Sequence, residues 1–260
     1  MAMGFETEVP ERRAGPSSDW AFLGISAILF LSSVGVTFYF TRGSMSGSMP
    51  MPGQTWFQMA VSFMGMWTVM MAAMMLPSLV PTLSRYRLFA HALGETRLAG
   101  LTVLAGGGYF FVWAGFGAAA YMLGFLWMAA EMNWMDLAQF VTVAGAVVLL
   151  LTGCFQLTAW KAHQLDCCRE APDTEQPHPS GLGGAWRYGL RLGLHCCLCC
   201  SGFMLILLVT GMTNLASMAL VAAAITLERL APKPLLVART LGILLLFAGA
   251  LGIARSLGVV

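Results

Sequence analysis

Six consecutive residues, His195-Cys196-Cys197-Leu198-Cys199-Cys200, bring four thiols and an imidazole together. On a helix of about 100° per residue, with His195 at zero, the cysteines fall at about 100°, 200°, 40° and 140°. His195, Cys199, Cys196 and Cys200 then share a face, with Cys197 at its edge. His195/Cys199 and Cys196/Cys200 are i,i+4 pairs, close enough to share a ligand. Soft thiolates with an imidazole suit Cu(I) or Zn(II). The two overlapping C-x-x-C spacings, Cys196/Cys199 and Cys197/Cys200, also fit thiol–disulfide exchange. The bland alternative is a thiol-rich face that only packs.

Methionine is the second soft donor. The chain has 19 Met and 7 Cys, and both are clustered. Met45, Met49 and Met51 lie in a Gly/Ser/Pro stretch where a flexible thioether has little packing use. They are candidates for metal capture. Met59, Met64, Met66, Met70, Met71, Met74 and Met75 follow. Met59, Met66, Met70 and Met74 fall on one helical stripe, and Met70/Met74 and Met71/Met75 are i,i+4 pairs. Thioether is neutral and favours Cu(I) without deprotonation. Helix packing by flexible apolar side chains is the competing reading.

The elements that carry these residues are apolar. Of 260 residues, 58% are hydrophobic and 10% are charged, and mean hydropathy is +0.75. A soluble domain is about 25% charged, so water cannot be the solvent of this surface. The expected fold is an all-α polytopic membrane protein of about seven spans. These are 20–40, 56–76, 101–128, 136–160, 186–211, a short 214–227, and 235–254. Residues 1–19 read as a polar, disordered cytoplasmic tail and 20–260 as a single transmembrane domain. The first span lacks a small-residue cleavage site, so it is expected to be retained. Pro77 and Pro81 are expected to end the second span. Gly106-Gly107-Gly108 predicts close helix packing or a break in the third.

Positive charge orients the spans. With the N-terminus inside, the inner segments hold Arg12, Arg13, Arg85, Arg87, Arg97, Lys161, Arg169, Arg187, Arg191, Arg229, Lys233 and Arg239. The outer segments hold Arg42 and Arg255, twelve against two. In this topology Met70–Met75, Cys154 and the His195–Cys200 run, roughly 14–21 Å along the fifth span, share an inner layer. Cys167, Cys168 and His163 follow just inside, as an exit or accessory set. The cytoplasm keeps such thiols reduced. A Cu(I) dithiolate is anionic and costly in lipid. Arg191 and Arg187, one and two turns before His195, are the expected compensating cations. His91, Glu95, His178, Glu131 and Asp136 have no convincing partners. There is no nucleophile–base pair, catalytic carboxylate pair or nucleotide-binding fingerprint, and no nucleic-acid partner is expected. An enzyme is the less favoured reading.

The run Trp67-Thr68-Val69-Met70-Met71-Ala72-Ala73-Met74-Met75-Leu76-Pro77, with Pro81, resembles the first signature of a bacterial family of predicted metal-binding integral membrane proteins. That family is a domain of unknown function sometimes labelled copper chaperone. His195–Cys200, Met204, Gly211-Met212-Thr213-Asn214 and Glu228 resemble its second signature. Together they cover about residues 55–255. The resemblance implies the bacterial cytoplasmic membrane and metal binding. It leaves open the mechanism and the partner, whether a soluble copper chaperone or a membrane cuproenzyme.

Overall fold

The computed structural model describes residues 16–43, 55–92, 97–133, 140–169, 181–210 and 214–256. Met45, Met49, Met51, His178, Glu95 and Asp136 lie outside them. The described residues form eight helices and no strand: α1 Pro16–Gly43, α2 Trp56–Ala92, α3 Leu98–Asn133, α4 Phe140–Gln156, α5 Ala159–Arg169, α6 Gly181–Thr210, α7 Leu215–Leu230 and α8 Pro234–Ser256. Five of them, α1, α2, α3, α6 and α8, are long and apolar enough to cross a membrane. The α4–α5 pair, bent by 72° at a short break, makes a sixth if it is one span. The 16 residues of α7 reach about 24 Å at 1.5 Å per residue, short of a hydrocarbon layer of about 30 Å.

Glycines set the closest approaches. A Cβ on Gly189 of α6 would overlap the Ala105 carbonyl of α3, and one on Gly193 would sit 2.9 Å from the Tyr109 carbonyl oxygen. The pairs 105/189 and 109/193 advance together, so α3 and α6 run parallel. Ala185, Gly189, Gly193 and Cys197 recur every fourth residue along α6, a small-residue stripe that lets two backbones touch. On the facing helix, Gly108 would meet the Trp186 carbonyl at 2.7 Å. The glycine triplet therefore serves packing, and α3 is unbroken through it.

Several other pairs are antiparallel. Trp67 Nε1 donates to the Trp113 carbonyl at 2.9 Å, while Gly106 faces Leu83, which opposes α2 to α3. Thr152 Oγ1 donates to the Gly202 carbonyl at 3.2 Å and Gly145 faces Val209, which opposes α4 to α6. Gly153 meets Gly242 and Ala146 meets Gly249, which opposes α4 to α8. The Arg87 guanidinium lies 4.8 Å over the Phe22 ring, joining the start of α1 to the end of α2.

Two expectations need correction. Pro77 and Pro81 do not end α2; both lie inside a helix of 37 residues. Proline removes a donor, but in apolar surroundings the backbone has no water to turn to. Proline is tolerated within such a helix because neighbouring groups and local backbone adjustment re-satisfy the freed carbonyls. The fourth span does not run straight to residue 160. α4 closes with Leu157 and Thr158 amides bonded to the Cys154 and Phe155 carbonyls, both 3.1 Å. Thr158 then caps α5, its Oγ1 accepting from the Lys161 amide at 3.2 Å, as N-cap threonines do.

Candidate metal centre

α5 turns across the middle of α6, and its period of buried residues fixes what it shows to each side. Lys161, Gln164, Leu165 and Cys168 are buried, while His163 and Asp166 are exposed and Cys167 is half-buried. The inward face meets the His195–Cys200 run at several points. Gln164 Oε1 lies 2.7 Å from His195 Nδ1. Lys161 Nζ donates to the Cys199 carbonyl at 2.7 Å. The thiols of Cys168, Cys196, Cys199 and Cys200 are all buried in the same core cluster. Four thiols from two helices thus share one buried cluster, and none is in a disulfide.

Cys196 and Cys168 are each held by polar groups from other helices. Cys196 Sγ is 3.1 Å from the Tyr109 hydroxyl of α3. It also accepts from Arg229 Nη1 of α7 at 3.3 Å. The same nitrogen donates to Ser78 Oγ of α2 at 3.0 Å, and Nη2 donates to the Cys168 carbonyl at 3.3 Å. None of these three partners is a carboxylate. Beside Arg229, Glu228 is occupied: Lys161 Nζ lies 2.8 Å from its Oε2, and Gln156 Nε2 donates to Oε1 at 2.6 Å. Lys161 and Glu228 are 0% and 1% exposed, so their charges cancel in place. Arg229, also buried, is then a cation whose nearest ionisable neighbour is a thiol.

The methionines of α2 belong to the same core. Met70, Met71, Met74 and Met75 are buried in one cluster with Cys168, Cys196, Cys199, Cys200, Met204 and Met218. Ser78, one turn beyond Met75, shares Arg229 with Cys196 and so puts the C-terminal part of this stripe near the level of the thiols. Met59 is half-buried and Met66 is exposed, so the outer part of the predicted stripe turns away from the core.

Several predicted members lie elsewhere. Cys154 is exposed on the face of α4 opposite Thr152 and Gln156, and does not join the layer. His195 is half-buried and faces Gln164 of α5. Cys197 is buried along the small-residue stripe. Arg187 and Arg191 are exposed, and the cations that reach the thiol run are Arg229 and Lys161. His163 and Cys167 form a pair on the outer face of α5, 3.7 Å apart.

Among the described residues, no three His, Cys, Asp or Glu side chains already converge as a metal-binding group. Thiols and thioethers buried in one cluster are donors for a soft ion. The donor types fit Cu(I) as cargo: two thiolates with Cu(I) carry one negative charge, and Arg229 supplies one positive charge beside them. Zn(II) needs a third thiolate to reach the same balance.

Residues 64–252 match the family described as copper chaperone, PpoB2. The chain belongs to this family. The PpoB2 match spans both the Met run of α2 and the Cys run of α6, the two segments that Arg229 ties together. No curated protein and no solved structure matches the chain significantly.

Sequence reading missed Tyr109, Gln164 and Ser78. It assigned Lys161 and Arg229 only to membrane orientation. The one available signal was the adjacency of Glu228 and Arg229 at the end of an apolar segment, where ionisable residues default to function.

Proposed function

We propose that this PpoB2 protein is a multi-pass protein of the bacterial cytoplasmic membrane that binds Cu(I) at Cys196, Cys199 and Cys200 and hands it to another protein. The observation that carries this reading is the buried thiol cluster beside Arg229, which bonds no carboxylate among the described residues. Loading Cu(I) onto two of these thiols removes two protons and adds one positive charge. Lys161, Glu228, Arg229 and the Cu(I) dithiolate then sum to zero, which an apolar interior requires. Met70, Met71, Met74 and Met75 supply neutral donors that leave this sum unchanged. The family's description as copper chaperones agrees with copper as cargo.

Multi-pass insertion with the N-terminus inside is supported by the charge asymmetry and by the alternating directions of the packed helices. Thiol–disulfide exchange at Cys196/Cys199 is disfavoured because both thiols are buried, away from any partner disulfide.

The test is metal content by mass spectrometry on protein purified under reducing conditions, wild type beside a Cys196/Cys199/Cys200→Ala variant. Near-stoichiometric copper that disappears in the variant supports the reading. Zinc in place of copper keeps the site and discards the copper assignment. No metal in either, after reconstitution with Cu(I), overturns it.

A further inference from the structure

We propose that the outer face of α5 is a second, exchangeable Cu(I) site, formed by His163 and Cys167, through which the buried thiols trade metal with a soluble thiol-bearing partner. The proposal rests on the reading that Cys196, Cys199 and Cys200 carry Cu(I), and it adds how the metal reaches or leaves them.

Three observations converge on α5. First, His163 Nε2 and Cys167 Sγ lie 3.7 Å apart at i,i+4, so one ion held between imidazole and thiolate needs little rearrangement. Second, the next residue, Cys168, points the other way and is buried in the same core cluster as Cys199. Consecutive α-carbons are 3.8 Å apart, so the inner and outer thiols are neighbours in one short helix. Third, the inner face of α5 is anchored by Lys161 to Glu228 and to the Cys199 carbonyl, while its outer face stays exposed.

The two sites also differ in charge. Cu(I) with one thiolate and one neutral imidazole is uncharged, so the outer pair needs no counter-ion. Cu(I) on two buried thiolates is anionic and needs Arg229. Movement between them is ligand exchange without a change of oxidation state. As a Cu–S bond forms to Cys168, the bond to Cys199 breaks, and the Cys168 proton passes to the Cys199 sulfur. In a second exchange Cys167 displaces Cys168 and passes it a proton, while His163 displaces the remaining buried thiolate, whose sulfur takes up one proton from solvent water. A thiol of the partner then displaces Cys167 in the same manner, leaving its own proton behind.

The experiment uses the full chain in detergent or nanodiscs under reducing conditions. Cu(I) is titrated and stoichiometry measured; the loaded protein is then challenged with the Cu(I) chelator bathocuproine disulfonate and the transfer rate recorded. The wild type is expected to bind a tight and a weaker equivalent. H163A/C167A is expected to lose the weaker one, retain the tight one, and transfer at least ~10-fold more slowly. C168A is expected to keep both and also slow transfer. Cys196/Cys199/Cys200→Ala is expected to lose only the tight equivalent. Wild-type stoichiometry and rate in H163A/C167A overturn the α5 site while leaving the buried site standing. Retention of the tight equivalent in the triple-Ala variant overturns the buried site instead. A wild type that binds no Cu(I) overturns both.

Discussion

Arg229 reaches Cys196, Ser78 and the Cys168 carbonyl from a single guanidinium. Its removal therefore tests the charge argument directly. Arg229→Met keeps volume and burial but deletes the cation. A hydrogen bond to a charged group is worth roughly 1.5–3 kcal/mol, so Cu(I) affinity in competition with a chelator should fall by about 10- to 100-fold, with Arg229→Lys intermediate. Equal affinity in the Met variant would show that Arg229 does not face the bound ion. Cys197 gives the opposite expectation. It shares the stripe of Gly189 and Gly193, so Cys197→Ala should leave copper stoichiometry unchanged where Cys196→Ala lowers it. The soft donors at this scale were legible because they are adjacent in sequence. Arg229 and Tyr109 were not, because they meet Cys196 across 33 and 87 residues and nothing local marks the pairing.

Helix continuity and helix breaks decide where those side chains meet. The spans were visible as apolar runs, yet their ends were misread at two places. Pro77 sits inside α2, and Gln156 ends α4 earlier than hydropathy implied. The second break matters more. It lets Gln156 and Lys161, from two helices at 72°, converge on Glu228. Removing one member of a buried ion pair costs about 3–5 kcal/mol, since the other charge is stranded. Glu228→Leu should therefore lower unfolding stability in detergent by that order. Lys161→Met/Glu228→Leu should recover most of it, as coupled neighbours do in a double-mutant cycle. Additive losses would mean the pair does not hold α5 to α7. The Met stripe is an element-scale test of metal identity. Changing Met70, Met71, Met74 and Met75 together to Leu nearly conserves volume. Copper binding should weaken while zinc binding, which makes no use of thioether, stays as it is.

For the whole molecule, the directions of the packed helices and the distribution of Lys and Arg lead to one topology. α3 and α6 run parallel, while α2 opposes α3 and α4 opposes α6. α1 opposes α2 through Arg87 and Phe22. A chain that alternates in this way returns the start of α6 to the side on which α3 starts. That side collects the cations under the positive-inside rule. Under the proposed orientation the exposed pair on α5 is expected on the cytoplasmic side, and the link between the first two spans on the outer side. Native Cys167 reports on this without a structural change, because it is half-buried and carried on the polar face of α5. With a Ser48→Cys substitution in the Met-rich segment, a membrane-impermeant maleimide on intact cells should label only residue 48. Permeabilised cells should label Cys167 as well. Cys154 is exposed on a face read as lipid-facing and should stay unreactive, since a polar, membrane-impermeant reagent does not enter hydrocarbon. Labelling of Cys167 in intact cells would invert the topology. The α5 pair would then receive copper from outside instead of exchanging it with the cytoplasm.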